Sequence, residues 1–142
     1  MPSSEEPRLA GRTALVTGAS RGIGRRVAER LADQGARVWC LGRSAEALRA
    51  LAAEIDGEAL VADLADDAET WAALDRLQDA LGGAPSVVVN AAGVFAVEPI
   101  AAESVKDFDA HLAINLRGPF LVIRCLLPAM LERRSGLIVN IG

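Results

Sequence analysis

Short apolar segments alternate with longer amphipathic segments along the sequence, and this alternation constrains the fold more than any other feature. The segment Thr13–Thr17 is apolar, rich in β-formers and followed by a glycine, which is typical of a strand buried on both faces. A helical pattern follows, with Ile23, Val27 and Leu31 spaced by four residues and Gly35 placed to end the helix. The first unit is therefore predicted to be a strand that leads into an amphipathic helix.

The same unit recurs through the rest of the sequence. Ser44 is placed to cap a second helix, and Asp66, Asp67 and Glu69 are placed at the start of a third, where acidic residues are favourable. A long helical stretch is predicted from about residue 105 to residue 134, and further strands at residues 36–42, 58–64, 86–93 and 136–142. Every crossover is long enough to join parallel strands. The sequence therefore predicts a single α/β domain, a doubly wound parallel sheet with helices on both faces in three layers.

The turn between the first strand and the first helix, VTGASRGIG (residues 16–24), carries three glycines. At this turn of a doubly wound sheet, backbone N–H groups and the positive end of a helix dipole point at one spot, where a pyrophosphate binds. Gly18 allows the tight turn, Gly22 lets the backbone approach the phosphates, and Gly24 lets the helix pack close to the sheet. The spacing departs from the commoner GxGxxG pattern, and a glycine-rich turn that serves only the chain is the alternative.

The end of the second strand indicates which dinucleotide would bind. An acidic residue about 20 positions after the glycine loop holds the ribose 2′-hydroxyl of NAD, whereas an arginine accommodates the 2′-phosphate of NADP. The second strand contains no carboxylate and is followed by Arg43, and Arg21 inside the glycine loop can reach the same phosphate. The sequence therefore predicts NADP(H) in preference to NAD(H). The alternative is that both arginines are ordinary solvated surface residues.

Composition argues against several other classes of function. The formal net charge is −4 and the basic residues are dispersed among the acidic ones, so nucleic acid is not an expected partner. Cys40 and Cys125 lie in apolar surroundings without metal-ligand spacing, so we expect buried free thiols and no metal site. The longest apolar run is too short for a transmembrane helix and the start is polar, so we expect no membrane segment and a cytoplasmic location. His111, the only histidine, is expected to be structural or solvated.

Four motifs in order give a resemblance to the short-chain dehydrogenases/reductases of the classical type: TGASRGIG (17–24), ADL (62–64), NAAG (90–93) and INLRG (114–118). The resemblance implies a Rossmann-like sheet with strand order 3-2-1-4-5 and a nicotinamide cofactor. It also implies that Asp63 binds the adenine amino group beside the Leu64 backbone, and that Asn90, Ala91 and Gly93 line the ribose and nicotinamide side. The predicted cofactor-binding residues are Gly18, Ser20, Arg21, Gly22, Ile23, Gly24, Arg43, Ser44, Asp63, Leu64, Asn90, Ala91 and Gly93.

Asn115 matches the helix asparagine that members of this family use in their proton relay, and it is the one predicted catalytic residue. Pro119 lies four residues later and has no N–H to donate to the Asn115 carbonyl. An unpaired carbonyl inside a protein normally finds a water or a side chain, so a relay water bound there is the expectation. A plain helix kink is the alternative.

The resemblance also implies which part of the chemistry this sequence lacks. Family members use a Ser…Tyr-x3-Lys arrangement beyond the fifth strand to supply the general acid. This sequence has no tyrosine, and its one lysine, Lys106, precedes Asn115. We therefore expect the cofactor-binding part of an NADP(H)-dependent oxidoreductase for a small carbonyl or alcohol, truncated before its catalytic residues and C-terminal strands. The alternative is an inactive dinucleotide-binding or interaction module, and by resemblance the full-length protein is expected to be a homodimer or homotetramer.

Overall fold

The computed structural model of the protein describes residues 7–142. Its strands are Thr13–Thr17 (β1), Arg37–Gly42 (β2), Glu58–Val61 (β3), Val87–Asn90 (β4) and Leu137–Asn140 (β5). Its helices are Gly22–Asp33 (α1), Ala45–Glu54 (α2), Asp67–Leu81 (α3), Val105–Leu112 (α4) and Gly118–Glu132 (α5), with a π-helical turn, Ala113–Arg117, between α4 and α5. The order of elements is the predicted one, and β1 has the predicted bounds.

The strands pair in parallel in the order β3-β2-β1-β4-β5. This confirms the expected Rossmann-like α/β fold and its strand order. The chain order reverses at β1, because β2 lies on one side of this strand and β4 on the other. In open α/β sheets, ligands bind outside the carboxyl ends of the strands at such a reversal. Thr17 and Asn90, the last residues of β1 and β4, are register partners at this edge.

Alternate residues of each central strand pack into two separate core layers. Leu15 of β1 faces α3 and α5, where it belongs to one cluster with Leu74 and Leu126. Its neighbour Val16 faces the opposite side of the sheet and shares a cluster with Leu48 of α2. Because both faces of β1 are covered, the strand is apolar throughout, as its sequence indicates.

The residues of α1 that are fully buried against the sheet are small, whereas the larger apolar residues that recur every four positions pack against the core only in part or not at all. Gly24 and Ala28 are buried, Val27 and Leu31 are half-buried, and Ile23 is 62% exposed. A Cβ on Gly24 would overlap the backbone just after β1. The helix therefore crosses the end of β1 too closely for a larger side chain, as predicted for Gly24, and Ile23 is left at the rim.

β3 and β4 each end three residues earlier than predicted. The Ala62 N–H, directly after β3, still donates to the Gly42 carbonyl, but beyond Ala62 and beyond Asn90 the backbone bonds to side chains instead of continuing the ladder. The Ala65 N–H donates to the Asp63 carboxylate, and the Ala91 N–H donates to the Thr17 hydroxyl. Both strands thus end in turns at the carboxyl edge of the sheet.

Residues Val105–Glu132 form one continuous helical segment of 28 residues. By length and composition alone this segment could cross a membrane. In the structure, however, Val122 and Leu126 of α5 are fully buried in the same core cluster as the side chains of α3. The inner face of α5 therefore belongs to the core of the α/β fold.

Candidate functional site

A cleft of about 510 Å³ opens at the carboxyl edge of the sheet, where the chain order reverses. It is lined by Gly18, Ser20, Arg21, Gly22, Ile23, Gly24, Gly42, Arg43, Ser44, Ala62, Asp63, Leu64, Ala91, Ala92, Gly93, Val94 and Ile114. Every predicted cofactor-binding residue except Asn90 is among them. A larger groove, of about 800 Å³, follows the outer side of α1, but of the predicted residues it contains only Gly22 and Ile23.

Sequence reasoning missed several residues that line this cleft. Each of them lies next to or inside a motif that was recognised, and that adjacency was the available signal. The missed residues are Gly42, Ala62, Ala92, Val94 and Ile114.

The glycine loop adopts the backbone conformation that the sequence predicts. Gly18 has φ +65°, and a Cβ there would lie 2.6 Å from the Ala92 Cα, so only glycine fits between β1 and the turn after β4. Gly22 has φ +58°, and a Cβ there would meet no protein atom within 4 Å. The space beside Gly22 is therefore open to the cleft, as a site for a close-approaching ligand requires.

The start of α1 differs from the starts of three other helices in its hydrogen bonding. Ser44, Asp66 and Ser104 each accept a hydrogen bond from the first turn of the helix they precede. Arg21 precedes α1 and makes no such bond, and the first turn of α1 has no acidic residue. Among the described residues, no side chain caps the first N–H groups of α1, which lie at the cleft beside Gly22, and this is the arrangement that binds phosphate groups.

Thr17 fixes the opposite wall of the cleft. Its side chain is buried, and its hydroxyl accepts hydrogen bonds from the N–H groups of both Ala91 and Ala92 at 3.1 Å. These bonds tie the end of β1 to the turn after β4, directly behind Gly93. Sequence reasoning did not assign Thr17 a role, although a polar residue that ends a buried apolar strand was a usable signal.

Arg21 and Arg43 line the same cleft, although 22 positions separate them in the sequence. Among the described residues, neither has a carboxylate partner, whereas Arg25, Arg26 and Arg37 each form an ion pair with a glutamate. Two guanidinium groups without counter-charges therefore reach one cleft. Such groups suit a bidentate anion such as a phosphate.

Of the carboxylates in residues 7–142, only that of Asp63 lines the cleft, and its backbone is held from several sides. Its Oδ1 accepts from the Ala65 N–H at 2.9 Å, and its own N–H donates to the Glu69 carboxylate at 2.9 Å. Asp66 accepts from the Glu69 N–H and so caps α3, and acidic residues occupy the start of this helix, as predicted. The bond to Ala65 turns the chain sharply after β3 and fixes the orientation of the Asp63 side chain.

Asn90 lies behind the cleft and does not line it. The side chain is 2% exposed, and its Nδ2 donates to the Asn140 Oδ1 at 2.9 Å, joining β4 to β5. The Asn90 Oδ1 has no hydrogen-bond partner among the described residues. The structure thus gives this side chain a contact within the sheet.

The Asn115 side chain also lies outside the cleft lining, where it pairs with the backbone of a residue that does line it. Its Oδ1 accepts from the Val94 N–H at 2.8 Å, and its Nδ2 donates to the Val94 carbonyl at 2.9 Å. The amide group therefore pairs with Val94 as a neighbouring strand would. This pairing holds the segment after Gly93 in place.

The interruption that the sequence indicates at Pro119 is a π-helical turn. The Gly118 N–H donates to the Ala113 carbonyl, five residues earlier. If the π-helical spacing continued, residue 119 would donate its N–H to the Ile114 carbonyl. With α-helical spacing, it would donate to the Asn115 carbonyl. Since proline has no N–H, it supplies neither bond. Turns of this kind are frequent at functional sites.

The histidine and the two cysteines do not line the cleft. The His111 Nδ1 lies 2.7 Å from the Asp107 carbonyl oxygen within α4. Cys40 is fully buried in the sheet, and burial raises the pKa of its thiol to about 11. Burial also raises the pKa of Cys125, which is half-buried and lies 3.3 Å from the Gln78 side-chain amide. Both thiols are free, and Cys40 is buried as predicted, whereas Cys125 is buried only in part.

The parallel sheet and the position of its cleft place the protein among the Rossmann-like α/β proteins. Within that class, the chain belongs to the short chain dehydrogenase family, whose model matches residues 12–142. Each of the four motifs that gave the resemblance contributes at least one residue to the lining of the cleft described above. The family binds a nicotinamide dinucleotide.

Characterised relatives support the same family membership. The chain is 40% identical over 140 residues to D-threitol dehydrogenase of Mycolicibacterium smegmatis, covering 95% of this chain and 54% of that protein. It is 37% identical over 138 residues to sorbitol dehydrogenase of Cereibacter sphaeroides, with 95% and 54% covered. The structure of a metagenomic short-chain oxidoreductase in complex with NADP superposes with a TM-score of 0.88 at 39% identity, covering 94% of this chain and 63% of that one. The chain thus spans about half the length of the two dehydrogenases.

Proposed function

We propose that the protein binds NADP(H) in preference to NAD(H) and provides the cofactor-binding part of an oxidoreductase. The reaction is hydride transfer between the nicotinamide and a small carbonyl or alcohol substrate. The observation that carries the proposal is that Arg21 and Arg43, both without a carboxylate partner among the described residues, line the same cleft. The glycine loop and the uncapped start of α1 lie in this cleft as well.

The residues of the cleft fit a phosphorylated dinucleotide. The first turn of α1 and the open space beside Gly22 suit the pyrophosphate, and the two guanidinium groups suit the 2′-phosphate. The Asp63 Oδ2 accepts no hydrogen bond from a described group, and it suits the adenine amino group. Ala91 and Gly93 suit the nicotinamide side, and the Thr17 hydroxyl holds this turn from behind by accepting from the N–H groups of Ala91 and Ala92. The bound cofactor would supply the hydride or accept it.

Asn115 contributes in two ways in this proposal. Its side chain positions Val94 beside the nicotinamide end, and its main-chain carbonyl, which Pro119 cannot satisfy, binds a water of the proton relay. The support is the π-helical turn, which places an interrupted stretch of backbone next to Ile114 in the cleft lining.

The 142 residues contain no tyrosine and one lysine, Lys106, which lies on α4. We therefore propose that this chain by itself binds the cofactor without turning it over. The measurement is the loss of NADPH absorbance when the chain is mixed with NADPH and a panel of small ketones and aldehydes. Oxidation of NADPH by the purified chain would contradict this part of the proposal, whereas binding without oxidation agrees with it.

A second copy of the chain is the partner we propose for the outer face of the long helical segment. Leu112, Leu116 and Phe120 line a groove of about 570 Å³ there, and Leu116 is 66% exposed. Exposed apolar patches of this kind mark protein interfaces. Sedimentation velocity is expected to give a dimer or tetramer for the natural sequence and a smaller species for Leu116→Asp.

The cofactor preference is tested by titrating the intrinsic fluorescence of the chain with NADPH and with NADH. Arg43→Ala is expected to weaken NADPH binding by about tenfold or more and to leave NADH binding unchanged, because only NADPH carries the 2′-phosphate. Arg49→Ala is the matched control, since it removes the same charge from an exposed residue of α2 that does not line the cleft. Equal affinities of the natural chain for the two cofactors, or an equal loss for both in Arg43→Ala, would contradict the assignment.

A gain-of-function variant tests the same site from the other direction. A Cβ on Gly42 would make only ordinary contacts, the nearest being 3.6 Å from the Leu48 Cδ2, so Gly42→Asp is sterically allowed. It places a carboxylate at the end of β2, where acidic residues bind the ribose hydroxyls of NAD and repel a 2′-phosphate. Gly42→Asp is therefore expected to bind NADH more tightly than NADPH.

A further inference from the structure

Arg117, at the end of the π-helical turn, bonds to the segment that follows β3. Its Nη2 donates to the Ala65 carbonyl at 2.8 Å, and its Nε lies 3.1 Å from the Asp67 Oδ1. One guanidinium group therefore holds Ala65, between β3 and α3, and Asp67, the first residue of α3. Arg117 itself does not line the cleft.

The segment that Arg117 holds carries the residues at one end of the cleft. Asp63 and Leu64 line the cleft and directly precede Ala65. The same segment also meets the backbone next to Arg117, because a Cβ on Gly118 would lie 3.3 Å from the Leu64 Cβ. The position of the Asp63 carboxylate thus depends on contacts with the long helical segment as well as on its own turn.

The same π-helical turn holds the other end of the cleft. Asn115, two residues before Arg117, pairs with the backbone of Val94, which lines the cleft beside Gly93. Side chains two positions apart on a helix project to different sides, so these two residues can reach segments on opposite sides of the turn. One turn of helix therefore connects the segment after β3 with the segment after β4.

We propose that Arg117 is a positioning residue for the adenine end of the cleft. It holds Ala65 and Asp67 so that the Asp63 carboxylate faces the adenine amino group, and it fixes this end relative to the Asn115–Val94 pair at the nicotinamide end. The proposal rests on the proposed function, because it assumes that the cleft binds NADP(H).

The test compares the affinity for NADPH with the affinity for its deamino analogue, in which hypoxanthine replaces adenine. The analogue has a carbonyl oxygen where adenine has its amino group, so it cannot donate to Asp63. The natural chain is expected to bind NADPH about tenfold more tightly than the analogue, because a hydrogen bond to a charged acceptor is lost. In Arg117→Ala this preference is expected to fall by about fivefold, the scale of a partly exposed charged contact.

Arg124→Ala is the matched control, because Arg124 is exposed on α5 and its loss removes the same charge from the same helical segment. A general loss of folded protein in Arg117→Ala would reduce the apparent binding of both ligands alike and leave their ratio unchanged. Asp67→Asn provides a second variant, which weakens the contact between Arg117 and residue 67 without removing Arg117. Its preference for NADPH over the analogue is expected to fall between those of the natural chain and Arg117→Ala.

The outcomes of this binding experiment distinguish a failure of the proposed function from a failure of the positioning role of Arg117. If the natural chain binds neither ligand, the proposed function is wrong, and the inference is overturned with it. If it binds both equally, Asp63 does not contact the amino group, and Arg117 positions nothing there. If the natural chain prefers NADPH and Arg117→Ala retains the full preference, the proposed function stands and the positioning role of Arg117 is overturned.

Discussion

Asn115 and Val94 are joined by two hydrogen bonds, one donated and one accepted by the same side-chain amide. The pair links the π-helical turn to the segment after β4, a separation of 21 residues in the sequence. The Asn115 side chain thus pairs with the Val94 backbone as a neighbouring strand would, and it holds this irregular segment at the edge of the cleft. Asparagine suits this position because its side-chain amide offers both the acceptor for the Val94 N–H and the donor for the Val94 carbonyl.

Replacement of Asn115 is expected to release the Val94 backbone. Asn115→Ala removes both bonds, so exchange of the Val94 N–H with solvent, followed by NMR, is expected to accelerate by about tenfold, which corresponds to roughly 1.4 kcal/mol of local protection. Asn115→Asp keeps the acceptor and loses the donor, so its effect is expected to be smaller. Unchanged Val94 exchange in Asn115→Ala would show that the pair contributes nothing in solution.

Thr17→Val is expected to destabilise the fold, because valine has nearly the same shape as threonine and offers no acceptor to the N–H groups of Ala91 and Ala92. Two partly buried donors left without a partner cost about 2 kcal/mol or more. Thr17→Ser keeps the hydroxyl and is expected to cost about 1 kcal/mol for the lost methyl group. Urea denaturation measures both, and a larger loss for serine than for valine would contradict the role of the hydroxyl.

Gly22 and Gly82 form a matched pair of glycines. Their φ angles are +58° and +64°, and at each a Cβ would meet no atom within 4 Å, but only Gly22 lines the cleft. Alanine at either position is expected to cost about 1 kcal/mol of stability, owing to the left-handed backbone.

The two variants are expected to differ in cofactor binding. Only Gly22→Ala places a methyl group beside the proposed pyrophosphate position, so its affinity for NADPH is expected to fall by about tenfold or more. Gly82→Ala, at the end of α3, is expected to bind NADPH as the natural chain does. Titration with NADPH separates the cases, and equal affinity of both variants would argue against phosphate binding at this loop.

Cys40 is expected to make stability depend on pH in the alkaline range. Burial raises the pKa of its thiol from 9.0 to about 11, so between these values the unfolded chain releases a proton that the folded chain keeps. The stabilising contribution is complete below about pH 9 and is lost as the pH rises towards 11, by up to about 2 kcal/mol. Cys40→Ala is expected to flatten this part of the stability profile measured by urea denaturation, and an unchanged slope would contradict the assignment.

Many local features of the protein follow from its sequence. The bounds of β1, the cap of α2 at Ser44 and the acidic start of α3 were predicted, since each depends on residues within a few positions of one another. The meeting of Arg21 and Arg43 was also predictable, because parallel pairing of β1 and β2 brings the ends of both strands to one edge. The packing of α1 was not, since the helix approaches the sheet so closely that Gly24 and Ala28 are fully buried while Val27 and Leu31 are buried only in part.

The sequence by itself determined the order of the elements, the parallel sheet and the residues that gather at its carboxyl edge, because hydrophobic periodicity and glycine placement act locally. Only the tertiary structure decided which partners the polar side chains take. Asn90 bonds to Asn140 and Arg117 bonds to Ala65, partners that lie 50 and 52 residues away. An amide or guanidinium group could bond to many groups of similar strength, and the packed positions of the helices and strands select the one within reach.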